Sequence, residues 1–114
     1  TNDEGWETIF EGWLKTSNFS SEDILMVFSV GGGSIENNVS VNIIRAVQLA
    51  KEIGAKTLGI VGKAEGYTAS EGDVVVVVPE VNPLLVTPLS EAFQSVIWHC
   101  MVSDPRLQLN STKW

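Results

Sequence analysis

Ile24-Leu25-Met26-Val27-Phe28-Ser29-Val30-Gly31-Gly32-Gly33-Ser34 joins an apolar run directly to a glycine-rich turn. Ile24 to Phe28 is a short continuous apolar run, and its length favours a strand covered on both faces over a helix. It stops at a Gly/Ser loop. A helix pattern follows from Val41 to Ile53, with Ile43, Val47 and Ala50 at i, i+4 and i+7. Ser40 stands where an N-cap is expected and Gly54 where a helix terminates. Strand, Gly-rich loop and helix in this order put the loop beyond a strand's carboxyl end, where parallel α/β sheets bind ligands.

Working outward, Thr57 to Val61 reads as a second buried strand, Gly62 to Gly72 as a loop with room for one helical turn, and Val74 to Val78 as a third strand. Pro79 ends that strand because proline cannot donate to the ladder. Glu80 to Pro88 reads as irregular, and Leu89 to Val102 as a last helix whose core stripe is Leu89, Phe93, Val96 and Cys100. Upstream, Glu4 to Lys15 reads as a helix with Trp6, Ile9, Phe10, Trp13 and Leu14 on one face and Asp3 as its N-cap. Trp6, Trp13 and Trp98 read as core or subunit-contact residues. The tail, 103–114, is polar and contains Pro105. The pattern is α/β, a three-layer sandwich about a parallel sheet. Three strands are few for such a sheet, and no strand precedes the first helix. The expectation is a domain truncated at its N-terminus, completed by upstream strands or a second chain.

The 114 residues, 44% hydrophobic and 18% charged, form one globular domain or part of one. A net charge of −7 excludes a nucleic-acid surface. It does not exclude an anion site, because loop amides and a helix N-terminus bind phosphate without cations. The lone Cys100 rules out an internal disulfide and fits a reducing, cytoplasmic location. No apolar run reaches the roughly 18 residues that span a bilayer, and the first residues do not form a signal peptide. Asn110-Ser111-Thr112 fits the glycosylation pattern, which short sequences match by chance.

The loop carries the chemistry. Three glycines permit positive φ and close approach of a ligand. Ser29, Ser34 and Ser40 supply hydroxyls, and the helix from Val41 supplies free N–H groups. Together they make a neutral, donor-rich cradle for phosphate. No Gly-Lys-Ser/Thr follows, and Glu36 occupies the place of the third glycine in the dinucleotide fingerprint, so no nucleotide cofactor is expected. On composition alone the segment reads equally well as an ordinary Gly/Ser turn before a capped helix. His99, the only histidine, follows Glu91 and Ser95 at i, i+4, i+8, with Glu91 and His99 about 80° apart around the axis. From the residues alone it is either a hydrogen-bonded core histidine or a catalytic or metal-binding one.

Ile24 to Ser34 followed by Ser40-Val41-Asn42-Ile43-Ile44 resembles the phosphate loop of SIS (sugar isomerase) domains, in particular the sedoheptulose-7-phosphate (phosphoheptose) isomerases. The likeness continues through Arg45-Ala46-Val47, Ala50 to Ala55, Thr57 to Gly62 and Ala69 to Pro79, and spans roughly residues 2 to 104. It implies a flavodoxin-like parallel sheet and aldose–ketose isomerisation of a sugar phosphate through an enediol. Phosphate contacts would fall on Ser29 and on the helix start carrying Asn42. Ser34 and Ser40 compete for one further family position, because this loop is longer than the family's. Val30 and Gly31 replace frequent hydroxyl bearers, with backbone N–H groups left to serve. Asn2-Asp3 resembles a substrate-contacting pair, and Glu91 and His99 match a Gln and a His that bind zinc and substrate. Eight residues of helix rise about 12 Å while a zinc bond is about 2 Å, so a metal needs ligands from elsewhere. The family draws these, and its carbon base, from an upstream His and Glu, so the chain alone is expected to be inactive. The resemblance further implies a small-molecule sugar phosphate as partner and a homo-oligomer, dimer or tetramer, with His99 as acid/base at oxygen. The alternative is a non-catalytic SIS module that binds or senses a sugar phosphate.

Overall fold

Three strands, β1 (Ile24–Ser29), β2 (Lys56–Val61) and β3 (Val74–Val77), form one parallel sheet in the order β1-β2-β3. Ser29 pairs with Val61 and Val61 with Val77, so the carboxyl ends of all three strands are level. This computed structural model describes residues 2–111 and 113. Thr1, Thr112 of the glycosylation pattern and Trp114 of the tail lie outside the described residues.

Helix α2 (Val41–Ile53) packs against β1 and β2, and α3 (Tyr67–Glu71) against β2 and β3. Helix α1 (Ile9–Thr16) lies on α2, so that Leu14, Ala46 and Leu49 form one apolar cluster. On the other face α4 (Val86–Ser103) lies against β2. The result is the α/β, three-layer arrangement about a parallel sheet, and Val47, Ala50, Ile60 and Val61 at its centre are buried. Their burial supplies the main stabilisation, about 1.5–3 kcal/mol for each large aliphatic side chain.

Several sequence expectations are corrected. β1 is not covered on both faces: Val27 is buried, while Ile24, Met26 and Phe28 are exposed. The cause is α4, which reaches β2 but leaves that face of β1 open. Val74, Val76 and Val77 of edge strand β3 are also exposed. The expected α4 core stripe points the wrong way. Phe93, Val96 and Cys100 are exposed, and the helix turns Ser90 and Gln94 to the sheet because their polar groups meet loop and strand-end backbone there. Trp6, Trp13 and Trp98 are exposed in the single chain, so the core alternative for them does not hold and the subunit-contact alternative is untouched.

The first helix is preceded by a 3₁₀ turn, Trp6–Thr8, entered through Gly5 at φ 82°, so Asp3 caps nothing. Pro88 lies inside α4 rather than before it. It is the third residue of the first turn, where an N–H would have no helical partner in any case. Within 62–72 the expected helical turn is present as α3, with Gly66 at its N-cap position.

Candidate functional site

At the carboxyl end of β1 the chain turns through Gly32 at φ 72° and Gly33 at φ 89°, values that glycine adopts without steric cost. Ser29 Oγ accepts a hydrogen bond from the Gly32 N–H at 3.0 Å, which closes the turn and leaves the hydroxyl proton available to a ligand. The other side of the loop is tied to α3. The Gly32 carbonyl accepts from both the N–H and the hydroxyl of Thr68, at 2.9 and 2.8 Å, and the Gly33 carbonyl accepts from the Tyr67 N–H at 2.8 Å. A side chain at Gly66 could not pass: its Cβ would stand 2.1 Å from the Gly31 carbonyl oxygen. At Gly31 the opposite holds, and a Cβ there would meet nothing within 4 Å. The loop is thus rigid on one side and open at Gly31, as an anion cradle requires.

The extra loop length is an antiparallel hairpin. Ser34 and Val39 exchange both backbone hydrogen bonds, at 2.9 and 3.0 Å, and Asn38 turns the chain at φ 53°. The excursion returns the chain so that the Ser40 carbonyl lies 3.5 Å from where a Gly33 Cβ would stand. This separates the two competing serines. Ser34 Oγ is engaged by the Asn37 N–H and Nδ2 at 3.2 and 3.0 Å, inside the hairpin. Ser40 adopts a left-handed conformation (φ 51°, ψ 42°) and makes no side-chain cap, contrary to the expected capping role. Among the described residues its hydroxyl has no hydrogen-bond partner, whereas the Ser34 oxygen accepts two bonds and keeps only its proton to donate.

Ser40 also lines a cavity of about 610 Å³ with Trp6, Glu7, Asn38, Asn42 and Arg45. The Arg45 guanidinium stands 3.9 Å from carboxylate oxygens of both Glu7 and Glu11. Asn42 Oδ1 accepts from the Ile43 N–H at 2.9 Å. Asn2 and Asp3 are exposed in the turn that leads to this region, and neither lines the cavity.

Glu91 and His99 are exposed on α4 and line different grooves. Glu91 shares one with Met26, Phe28 and Gln94, and His99 shares another with Ser95, Val96 and Cys100. The His99 ring stacks on Trp98 with centroids 4.0 Å apart. Among the described residues no three His, Cys, Asp or Glu side chains converge on a point that could hold a metal ion. Glu91 and His99 are therefore two donors at most, and zinc needs further ligands.

Two residues the sequence reading passed over hold the site together. Thr68 has no exposure and fixes Gly32. Gln94, 8% exposed, donates from Nε2 to the Ser29 carbonyl at 3.0 Å and the Ile60 carbonyl at 2.9 Å, pinning α4 to the strand ends. The available signal was the Ser90–Gln94 pair, two polar residues at i, i+4 on one face of the helix.

Comparison with known proteins bears on the fold. The phosphoheptose isomerase of Francisella tularensis superimposes with a TM-score of 0.68 at 25% identity, over 87% of this chain and 50% of that one. The chain has the phosphoheptose isomerase fold. The gonococcal phosphoheptose isomerase repeats that fold at TM-score 0.60 and 24% identity, over 84% of this chain and 53% of its own. In sequence, the lincomycin biosynthesis protein LmbN of Streptomyces lincolnensis is 32% identical over 105 residues, covering 89% of this chain and 36% of that protein. The phosphoheptose isomerase of Aliarcobacter butzleri is 27% identical over 106 residues, covering 93% of this chain and 51% of that protein. The chain therefore spans about half or less of the length of the relatives it matches. No family model matches it. No helix among the described residues is long and apolar enough to cross a membrane.

Proposed function

We propose that the protein is a cytoplasmic SIS-type domain that binds a sugar phosphate and, at full length, interconverts the aldose and ketose forms of a heptose phosphate such as sedoheptulose 7-phosphate. The observation that carries this is the mouth at Gly31. Ser29 can donate, Ser40 is uncapped, and open space stands above the backbone at the carboxyl end of β1. Such a neutral cradle holds an oxyanion through hydroxyls and amide dipoles. The isomerase part rests on the named relatives and the shared fold.

Isomerisation moves a proton between adjacent carbons and needs an acid/base at the two oxygens. His99 is the candidate for that oxygen role, with Asn2, Asp3 and Glu91 positioning hydroxyls. His99 does not share a cavity with the Ser29–Ser40 loop of its own chain. It follows Gln94 by five residues, about 7.5 Å of helix rise. The exposed Phe93–Val96 stripe leaves α4 an apolar face for a second copy, which supports the reading of a homo-oligomer, dimer or tetramer. Glu91 and His99 line different grooves, so zinc would need further ligands to be held there, and the loop's binding of phosphate does not depend on it.

The separation of His99 from the loop also favours a second reading, a non-catalytic module that binds or senses the sugar phosphate. Turnover of sedoheptulose 7-phosphate by the full-length protein, with and without zinc, decides between them. Binding without turnover selects the module, and absence of binding ends both readings.

A further inference from the structure

The cavity beside Ser40 has a composition that the phosphate loop alone does not explain. Its 610 Å³ falls within the range of small-ligand sites, about 300–1,000 Å³. Two amides, Asn38 and Asn42, present both donors and acceptors. Arg45 offers N–H donors that its neighbours do not saturate, because 3.9 Å to Glu7 and Glu11 exceeds the roughly 2.7–2.9 Å of a charge-assisted hydrogen bond. The two glutamates offset the guanidinium charge, so the cavity disfavours a second phosphate. Trp6 closes it with an indole that is 65% exposed, an apolar surface with a polar edge. Paired donors and acceptors beside an aromatic face, with little net charge, match a chain of hydroxyl-bearing carbons.

We propose that this cavity is the subsite for the hydroxylated carbon chain of the sugar phosphate, and that Asn38 and Trp6 determine which chain is accepted. The inference rests on the phosphosugar reading above. Ser40 belongs to both the loop and the cavity, so a ligand whose phosphate reaches Ser40 can extend directly between Trp6 and the hairpin. Asn38 is delivered there by the hairpin 34–39, which gives that insert a role in substrate selection.

The test is calorimetric titration of the full-length protein with inorganic phosphate, glyceraldehyde 3-phosphate and sedoheptulose 7-phosphate. The variants are Asn38→Gly, which keeps the φ of 53° accessible, and Trp6→Ala, at an exposed position. Each variant should bind the seven-carbon ligand about tenfold more weakly, the effect of roughly one lost hydrogen bond or stacking contact. Phosphate and the three-carbon ligand should bind unchanged. Unaltered affinity for the seven-carbon ligand in both variants, or equal losses for all three ligands, overturns the subsite alone. Failure of the unsubstituted protein to bind any of the three overturns the phosphosugar reading and the subsite with it.

Discussion

The Thr68 hydroxyl, wholly buried, donates to the Gly32 carbonyl at 2.8 Å, and this contact fixes the glycine turn that adjoins the open space at Gly31. The backbone N–H of Thr68 reaches the same carbonyl at 2.9 Å, so removing the hydroxyl weakens the tie without abolishing it. Thr68→Val keeps the shape and should lower stability by about 0.5–1.5 kcal/mol, the net worth of one hydrogen bond. Denaturant unfolding reads that loss. Calorimetry on the same variant should show weaker sugar-phosphate binding under conditions where both proteins are fully folded. Unchanged affinity would mean that the loop holds its shape without α3.

Gln94 makes a stronger demand on the fold. One amide nitrogen serves the Ser29 carbonyl, which is part-buried, and the Ile60 carbonyl, which is buried, and Gln94→Ala removes both contacts. An unsatisfied buried acceptor costs about 1–3 kcal/mol, so the variant should lose at least that much in chemical denaturation. Gln94→Glu should fare no better, since a carboxylate cannot donate to either carbonyl. A loss no larger than that of a surface substitution would show that α4 is held by other contacts.

The features that are legible in the sequence are those set by local pattern. The bounds of α2, Val41 to Ile53, follow from apolar spacing and from Gly54, which does take up the expected left-handed cap at φ 79°. The order of strands and the place of the loop follow equally directly. What was not legible depends on what covers each surface. Five apolar residues at Ile24–Phe28 look the same whether one face is covered or two, and only the reach of α4 decides it. The orientation of α4 was misread because apolar count outweighs Ser90 and Gln94 in a periodicity argument, although strand-end carbonyls accept from Gln94 and Ser90 packs against Gly62. Ser34 and Ser40 could not be separated by spacing, because only the hairpin's hydrogen bonds show which hydroxyl is occupied.

Asp73 makes the stability pH-dependent in a defined direction. Its carboxylate accepts from Lys56 Nζ at 2.8 Å and from the Thr57 N–H at 2.8 Å, joining the entries of β2 and β3. Lys56 first, and then the Thr57 N–H, hold the acid below its ordinary value of 3.8. A lowered folded pKa stabilises the fold above the unfolded value, and the contribution fades as pH falls through the folded one. The melting-temperature gap between the protein and Asp73→Asn should therefore be full at neutral pH and close progressively below about pH 4. Asp104, lowered by Arg106 in the exposed tail, titrates the same way in both proteins and cancels in the difference. A gap that persists undiminished at pH 2.5 would contradict the assignment.

Ser40 and Ser34 should respond to substitution in opposite ways. Ser40 pays no part in capping α2 and sits at φ 51°, where glycine is at ease and other residues are strained. Ser40→Gly should leave stability equal or raised by up to about 1 kcal/mol, while phosphate and sugar-phosphate affinity fall about tenfold for the lost donor. Ser34 is committed to Asn37 within the hairpin. Ser34→Ala should loosen 34–39, visible as faster amide exchange at Asn37, and should leave inorganic phosphate binding unchanged. Thermal melts and phosphate titrations of the two variants give the comparison. If Ser34→Ala loses phosphate and Ser40→Gly keeps it, the hydroxyl assignment made from the hairpin is reversed.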